Sequence, residues 1–272
     1  MARKADTPAE DHCAINVCLY SPGAKRWTMT ERGARHVQRE RHAFVVGPSR
    51  VEWKGDALEI AFDERSVPFM RAVRGSLRLY PRALSQFHAA LDANLPLRGR
   101  HRWGPIAPCA RIEVELQSPA LRWQGHAYFD SNEGDEPIER AFLRWDWLRT
   151  ANADGSTAVI YDVQPRDVRR SGASRLVAQR FAPDGSASAF ETSPRQRLPP
   201  STLWRIDRQV RAADAPRVVR TLEDTPFYAR SLIEMQGVGG EVVQAVHETL
   251  DVPRLVSPVV QAMLPFRMPR RG

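Results

Sequence analysis

The stretch Leu121-Arg122-Trp123-Gln124-Gly125-His126-Ala127-Tyr128-Phe129 alternates in character from one residue to the next. Every second side chain of an extended backbone points to the same face, so this period of two reads as a half-buried strand with one wet side. The same period recurs in Val51-Glu52-Trp53, Leu58-Glu59-Ile60-Ala61-Phe62, Ser76-Leu77-Arg78-Leu79-Tyr80 and Ile112-Glu113-Val114-Glu115-Leu116. Turn clusters separate the runs at the short spacing of antiparallel hairpins: Ser21-Pro22-Gly23, Lys54-Gly55-Asp56, Ser131-Asn132-Glu133-Gly134-Asp135 and Ala182-Pro183-Asp184-Gly185. Residues 140–150, 158–163, 176–181, 203–210 and 241–250 suit strands in the second half. Helical signals are confined to 82–90 and a turn near 256–263, and 21 prolines spread over the chain oppose long helices. Residues 168–174 and 186–200, rich in Ser, Arg and Pro, read as surface loops. The architecture is therefore all-β with few short helices.

A chain of 272 residues has room for one large β domain or two smaller ones. With 42% apolar and 26% charged residues it has the make-up of a folded protein, not of a disordered one. Lys and Arg number 40 against 32 Asp and Glu, a formal net charge of +8. Arginine supplies nearly all of that excess, since lysine stands only at positions 4, 25 and 54, and a GC-rich coding bias accounts for part of it. What remains is an electrostatic preference for polyanions, such as an anionic membrane face. The charge is scattered and not interleaved with aromatics, which argues against nucleic acid. Cys13, Cys18 and Cys109 form no CxxC pair and leave an odd count, so neither a disulfide framework nor a cysteine-rich zinc site is indicated and a reducing compartment is expected. The polar first ten residues lack the apolar core of a signal peptide, and no run reaches the length of a membrane span.

Two stretches combine polar and aromatic residues beyond what solubility requires. They are His101-Arg102-Trp103-Gly104-Pro105 and Gly125-His126-Ala127-Tyr128-Phe129-Asp130-Ser131-Asn132-Glu133-Gly134-Asp135. His101 and Trp103 are two apart and share a strand face, and so do Tyr128 and Asp130. If the two faces meet, an acid, an imidazole and two aromatic rings line one cavity. Taken alone, Asp130 to Asp135 also reads as a plain turn in which Asp130 accepts from backbone amides, and His101 alone as a structural histidine. A calcium loop is disfavoured, because Gly134 is misplaced and no Glu closes the loop. A GxSxG elbow and a lysine-bearing phosphate loop are both missing from the sequence. Trp145 and Trp147, like Trp53 and Trp123, read as core or rim residues.

A series of ordered blocks extends over essentially the whole chain. It runs Asp11-His12-Cys13-Ala14-Ile15-Asn16-Val17, Trp27-Thr28-Met29-Thr30-Glu31-Arg32-Gly33, Val46-Gly47-Pro48-Ser49 and His101-Arg102-Trp103-Gly104-Pro105-Ile106-Ala107-Pro108. It continues with Gly125-His126-Ala127-Tyr128-Phe129-Asp130-Ser131-Asn132, Arg144-Trp145-Asp146-Trp147, Arg220-Thr221-Leu222-Glu223-Asp224-Thr225-Pro226-Phe227-Tyr228-Ala229-Arg230 and Met263-Leu264-Pro265-Phe266-Arg267-Met268-Pro269-Arg270. In this order the chain resembles the carotenoid 1,2-hydratases, or hydroxyneurosporene synthases, of purple photosynthetic bacteria. The resemblance implies two lipocalin-like antiparallel β-barrel domains, placed here at 11–135 and 136–266. It also implies hydration of the terminal double bond of lycopene or neurosporene, with contact to other enzymes of carotenoid biosynthesis. Family members carry further residues ahead of the segment matching Asp11, so a shortened first strand is expected.

Hydrating an unactivated trisubstituted alkene needs a proton on the less substituted carbon, then water on the tertiary cation that results. A carboxylic acid serves if an apolar wall keeps it protonated. Asp130 stands at the end of an apolar strand and matches the family's acid position, which makes it the candidate. Tyr128 and Trp103 would face the cation with π density, an interaction of ~2 kcal/mol or more when water is excluded. His101 would orient Asp130's proton or position and deprotonate the water. No cofactor or metal is expected. A membrane surface is an expected partner because carotenes reside in lipid, with the protein held peripherally on the cytoplasmic face of the inner or intracytoplasmic membrane. A lipocalin-like protein that binds carotenoid or lipid without reacting is the alternative from a different class.

Overall fold

The computed structural model describes residues 8–92, 99–167, 174–237 and 239–271. These are mostly strand, with short helical turns at Ala9–His12, Ala34–His36, Ile138–Ala141 and Val252–Leu255 and one ten-residue helix, Pro258–Arg267. Two compact units divide the chain. The first takes residues up to Pro81, Arg111–Ala127 and those from Gln261 on; the second takes Arg82–Ala110 and Tyr128–Val260.

In the first unit the strands Val37–Arg39, Ala43–Val46, Ser49–Lys54, Ala57–Arg65 and Ala72–Pro81 pair each with the next, antiparallel. Tight turns make this possible: Gly47 and Gly55 sit at φ 61° and 59°, a left-handed conformation that glycine adopts without cost. Residues 111–118 of the strand His101–Ser118 extend the same sheet beyond Ala72–Pro81. Gly75 lies so close to that strand that a Cβ would come within 2.6 Å of the Glu115 carbonyl oxygen. The core gathers Leu19, Phe62, Val73, Val114 and Leu116, each large side chain contributing about 1.5–3 kcal/mol on burial. Beside it, Arg32 and Glu64 form a buried ion pair at 2.8 Å, and the Ser49 hydroxyl donates to the other Glu64 oxygen at 2.6 Å.

The second unit holds a seven-stranded antiparallel sheet. Its spatial order is Ala187–Ala189, Arg175–Phe181, Thr157–Pro165, Phe142–Ala151, Val242–Asp251, Tyr228–Gln236 and Arg217–Asp224. Among the described residues it runs as an open path. Alternation along Phe142–Ala151 sets its two faces. Leu148 lies opposite Ile160, which lies opposite Ala178, and these build one apolar cluster. On the other face Trp145 stands opposite Val163 and Trp147 opposite Tyr161, and these join a second cluster with Trp103, Phe142 and Phe181. Asp146 and Asp162 fall on the Leu148 side, where they are neutralised locally: Arg144 and the Thr249 hydroxyl serve Asp146, and Arg195 and Arg211 serve Asp162.

Several local expectations change. No helix forms over 82–90, because its amides are drawn to a neighbouring strand: Arg82 N–H donates to the Cys109 carbonyl at 2.9 Å and Ser85 N–H to Ile106 at 3.0 Å, and Ala89–Ala90 pair with Arg102 and Trp103. The turn expected at 131–135 is strand through Gly134, its pairing continued by Asp135 N–H on the Arg100 carbonyl at 2.8 Å. Of the strand expected at 203–210, only Arg208–Arg211 forms. Its first residues are held off by Asp224, whose carboxylate accepts from the amides of Leu203 and Trp204 and from the Ser201 hydroxyl. The loop at 186–200 contains two short strands, Ala187–Ala189 and Arg195–Leu198, the second paired with Arg208–Arg211. The loop at 168–174 lies outside the described residues except for Ser174.

Candidate active site

All four residues singled out in the sequence lie in the second unit, on two strands whose facing ends approach at the Asp135 amide and the Arg100 carbonyl. Three of them meet. The Asp130 carboxylate oxygen Oδ2 accepts from the indole Nε1 of Trp103 at 2.8 Å and from the Tyr128 hydroxyl at 3.0 Å. Trp103 is fully buried, and its ring is fixed edge-on by Phe87 at 5.9 Å, Tyr161 at 5.7 Å and Phe181 at 6.3 Å between centroids. Tyr128 packs at 5.7 Å against Trp147. Buried Trp N–H and Tyr O–H groups need acceptors, and Asp130 satisfies both at once.

Burial pushes the Asp130 carboxyl above the usual carboxylate range. The hydrogen bonds from Trp103 and Tyr128 and the positive charge of Arg149 pull it part of the way back. Burial, with the Asp130 charge next, raises the Tyr128 phenol well above its ordinary value, so that hydroxyl remains a donor. Tyr161 is raised in the same direction by burial, and its hydroxyl donates to the Asn132 amide oxygen at 3.4 Å.

His101 stands apart from this trio. Its ring lies 4.7 Å from Phe142, and among the described residues it makes no hydrogen bond to Asp130. It packs over Gly134, where a Cβ would come within 2.9 Å of Nδ1. Its Nε2 is buried without a hydrogen-bond partner. Burial lowers its pKa against the opposing pull of Asp92, Glu136 and Asp135, so the imidazole is held towards its neutral form.

The sequence reading passed over Arg149. It follows Trp145 and Trp147 on the aromatic face of Phe142–Ala151, with its guanidinium carbon 5.6 Å from the Tyr128 ring centroid. Its Nη1 is buried and has no hydrogen-bond partner. Burial lowers its pKa, opposed by the charges of Tyr128 and Asp130. The signal was present as a third residue at period two after two tryptophans. Among the described residues, no group of three or more His, Cys, Asp or Glu side chains is placed to hold a metal ion. Chemically the arrangement is a carboxyl group in an aromatic enclosure, with one oxygen occupied by two donors and a buried cation nearby.

A family model described as carotenoid hydratase CrtC matches residues 2–272. An acyclic carotenoid 1,2-hydratase of Rubrivivax gelatinosus is 56% identical over 99% of this chain and 64% of its own length. The protein of the same name from Thiocapsa roseopersicina is 47% identical, over 99% of this chain and 65% of its length. That of Cereibacter sphaeroides is 37% identical, over 96% of this chain and 90% of its own. The chain thus spans slightly under two thirds of the length of the first two relatives. Among solved structures, a protein of Nitrosomonas europaea provisionally named AttH superposes with a TM-score of 0.58 at 12% identity, covering 84% of this chain and 77% of that one, which bears on the fold alone.

Proposed function

The chain belongs to the carotenoid hydratase CrtC family, and from that premise we propose that it is a hydro-lyase adding water across the terminal C1–C2 double bond of an acyclic carotene such as lycopene or neurosporene. The observation that carries this reading is the Asp130 carboxyl: raised by burial, enclosed by aromatic rings, and bound through one oxygen to both Trp103 and Tyr128. An oxygen that already accepts two hydrogen bonds is the poorer base, so the acid's proton resides on Oδ1. From there it passes to C2, the π electrons of the alkene form the new C–H bond, and C1 is left as a tertiary cation. The negative charge that appears on Asp130 is met by the two donors and by Arg149. Aromatic π density of Tyr128 and Trp103 faces the cation.

Water then attacks C1. The open Nε2 of a neutral His101 supports a role in positioning this water and taking its proton, and a proton returned to Asp130 closes the cycle. Addition of water is redox-neutral and its proton inventory balances, so in this reading the steps need no electron donor or acceptor.

The proposal extends to architecture and place. In this reading the two all-β units are two lipocalin-like barrels whose bounds differ from a single cut at 135, since 82–110 and 128–135 pack in the second unit and residues from 261 on in the first. No helix among the described residues is long and apolar enough to cross a membrane. Because carotenes partition into lipid, the protein works peripherally at the cytoplasmic face of the inner or intracytoplasmic membrane, in contact with other enzymes of carotenoid biosynthesis.

The test is incubation of purified protein with detergent-dispersed lycopene in heavy water, with no added cofactor. A 1-hydroxy product carrying one deuterium on the carbon next to the carbinol is expected. Asp130→Asn is expected to retain carotene binding and lose the product. Normal turnover by that variant removes Asp130 from the acid's role, and wild-type protein that binds carotene without product favours a binding protein.

A further inference from the structure

We propose that the surface of the first unit carrying Phe69, Met70, Met263 and Phe266 docks on an anionic lipid bilayer. Phe69 is 77% exposed and Phe266 81%, which is extreme for phenylalanine, and Met70 and Met263 are 44% and 40% exposed. They come from two elements, the turn 66–71 between Ala57–Arg65 and Ala72–Pro81, and the helix Pro258–Arg267. Met263 and Phe266 are three apart and share one side of that helix. Arg267 ties the two elements together: its Nη1 donates to the Val67 carbonyl at 3.3 Å, while its guanidinium lies 4.4 Å from the Trp27 ring centroid. The two elements that carry the aromatic tips are thus braced to each other.

The two segments that carry the patch are basic. Between Arg65 and Arg82 the sequence has no Asp or Glu, and none follows Asp251. Arg71 lies 5.6 Å from the Phe69 ring centroid, and Arg65 donates to the Met70 carbonyl at 3.4 Å. Arg65 also borders a polar cleft of about 690 Å³ whose walls carry Arg32, Arg35, Arg65 and Arg271 against Asp63 and Glu64, an excess of guanidinium groups beyond the apolar tips. Protruding aromatics that bury in the acyl boundary, framed by guanidinium groups that meet phosphates, fit a bilayer bearing negative headgroups. A protein partner of opposite charge or a second copy of this chain would need acidic complementarity; a second copy offers the same basic patch and would be repelled.

This inference deepens the peripheral-membrane part of the proposed function and is independent of the acid chemistry. Co-sedimentation is measured with vesicles of phosphatidylglycerol and phosphatidylcholine, against vesicles of phosphatidylcholine alone. Binding to the anionic vesicles that weakens with added salt is expected. Phe69→Ser with Phe266→Ser should lower the partition coefficient about tenfold or more, since two buried rings are lost from the acyl boundary. Val242→Ser is the control, because Val242 is 78% exposed beside the acidic Glu241, and it should leave binding unchanged. Wild-type protein that ignores anionic vesicles overturns both the surface and the peripheral reading, while hydration in detergent would still stand. Equal binding by the double serine variant overturns the surface alone. A dimer of the wild type that the double variant dissolves would show that a second copy covers the patch, and overturns the lipid assignment.

Discussion

Replacing Trp103 by Phe removes one donor from the candidate acid and leaves a ring among Phe87, Tyr161 and Phe181. The lost bond, Nε1 to Oδ2 at 2.8 Å, exists before and after proton transfer, so only its strengthening on the way to the carboxylate affects the rate. A neutral hydrogen bond contributes roughly 0.5–1.5 kcal/mol and one to a charged group roughly 1.5–3. The difference is about 1–1.5 kcal/mol, which at about 1.36 kcal/mol per decade is roughly a five- to thirteenfold fall in kcat. The pH profile gives an independent reading. Burial raises the Asp130 pKa and the Trp103 hydrogen bond opposes that rise, so its loss moves the pKa further up. In the proposed mechanism the protonated form is the active one, so the alkaline limb of kcat moves to higher pH. The assay is initial rates of lycopene hydration in detergent at saturating substrate across pH, with circular dichroism to verify folding. An unchanged kcat, or an alkaline limb displaced to lower pH, refutes the assignment of Asp130 and Trp103 as acid and donor.

Asp130→Asn should cut kcat by about 10²–10⁴, the usual contribution of a positioned general acid. It should also stabilise the fold, with a definite pH dependence. The folded pKa lies above the unfolded one, so the native state binds more protons between the two values, and stability falls as pH rises through that window. Melting temperatures should therefore show the gain at neutral pH and its disappearance under acid conditions; a gain confined to low pH contradicts the sign. Arg149→Met should lower kcat and shift the alkaline limb upward without loss of melting temperature, because it removes a buried cation whose Nη1 has no partner. A large fall in melting temperature counts against this. In the first unit, Glu64→Ala leaves Arg32 buried and uncompensated and should cost about 3–5 kcal/mol in urea unfolding; a loss below about 1 kcal/mol, the range of an exposed pair, would show the ion pair to be solvated.

Period-two alternation located the strands around 51–62, 76–80 and 112–129 because each buries one face, and burial is written directly in residue type. The trio of Asp130, Tyr128 and Trp103 was accessible for the same reason, through two-residue spacing. The misread segments are those whose backbone partners lie far away in sequence. Residues 82–90 look helical in isolation, yet the Cys109 and Ile106 carbonyls take their amides. The polar run 131–135 has the composition of a turn, yet its residues find partners across the ladder: the Ser131 hydroxyl on the Gly104 carbonyl, and the Asp135 carboxylate on Arg102. Two-residue spacing pairs His101 with Trp103 and reaches Asp130 only if the two strand faces meet there; Gly134, whose missing side chain leaves room, takes the imidazole instead.

In the proposed mechanism Arg149 helps to poise Asp130. A guanidinium on the face that carries Trp145 and Trp147 is costly in isolation, and it is retained where Tyr128 and Asp130 bring negative charge or π density. The interaction is weak while Asp130 is protonated and strengthens as the proton leaves. Burial acts in the reverse sense, resisting ionisation throughout. Burial alone would keep Asp130 protonated but leave it too weak an acid to transfer its proton to an alkene. Two donors and a cation alone would leave it ionised before any substrate arrived. The opposing effects converge on one carboxyl, so removing either class should impair hydration by a different route: loss of Arg149 or Trp103 gives an acid that is protonated but slow, whereas opening the aromatic wall gives one that is ionised and empty. Tyr161→Ala, which opens that wall at a ring 5.7 Å from Trp103, should therefore move the alkaline limb to lower pH, the opposite direction from Trp103→Phe, and a shift in the same direction would show that solvent exclusion does not set the acid.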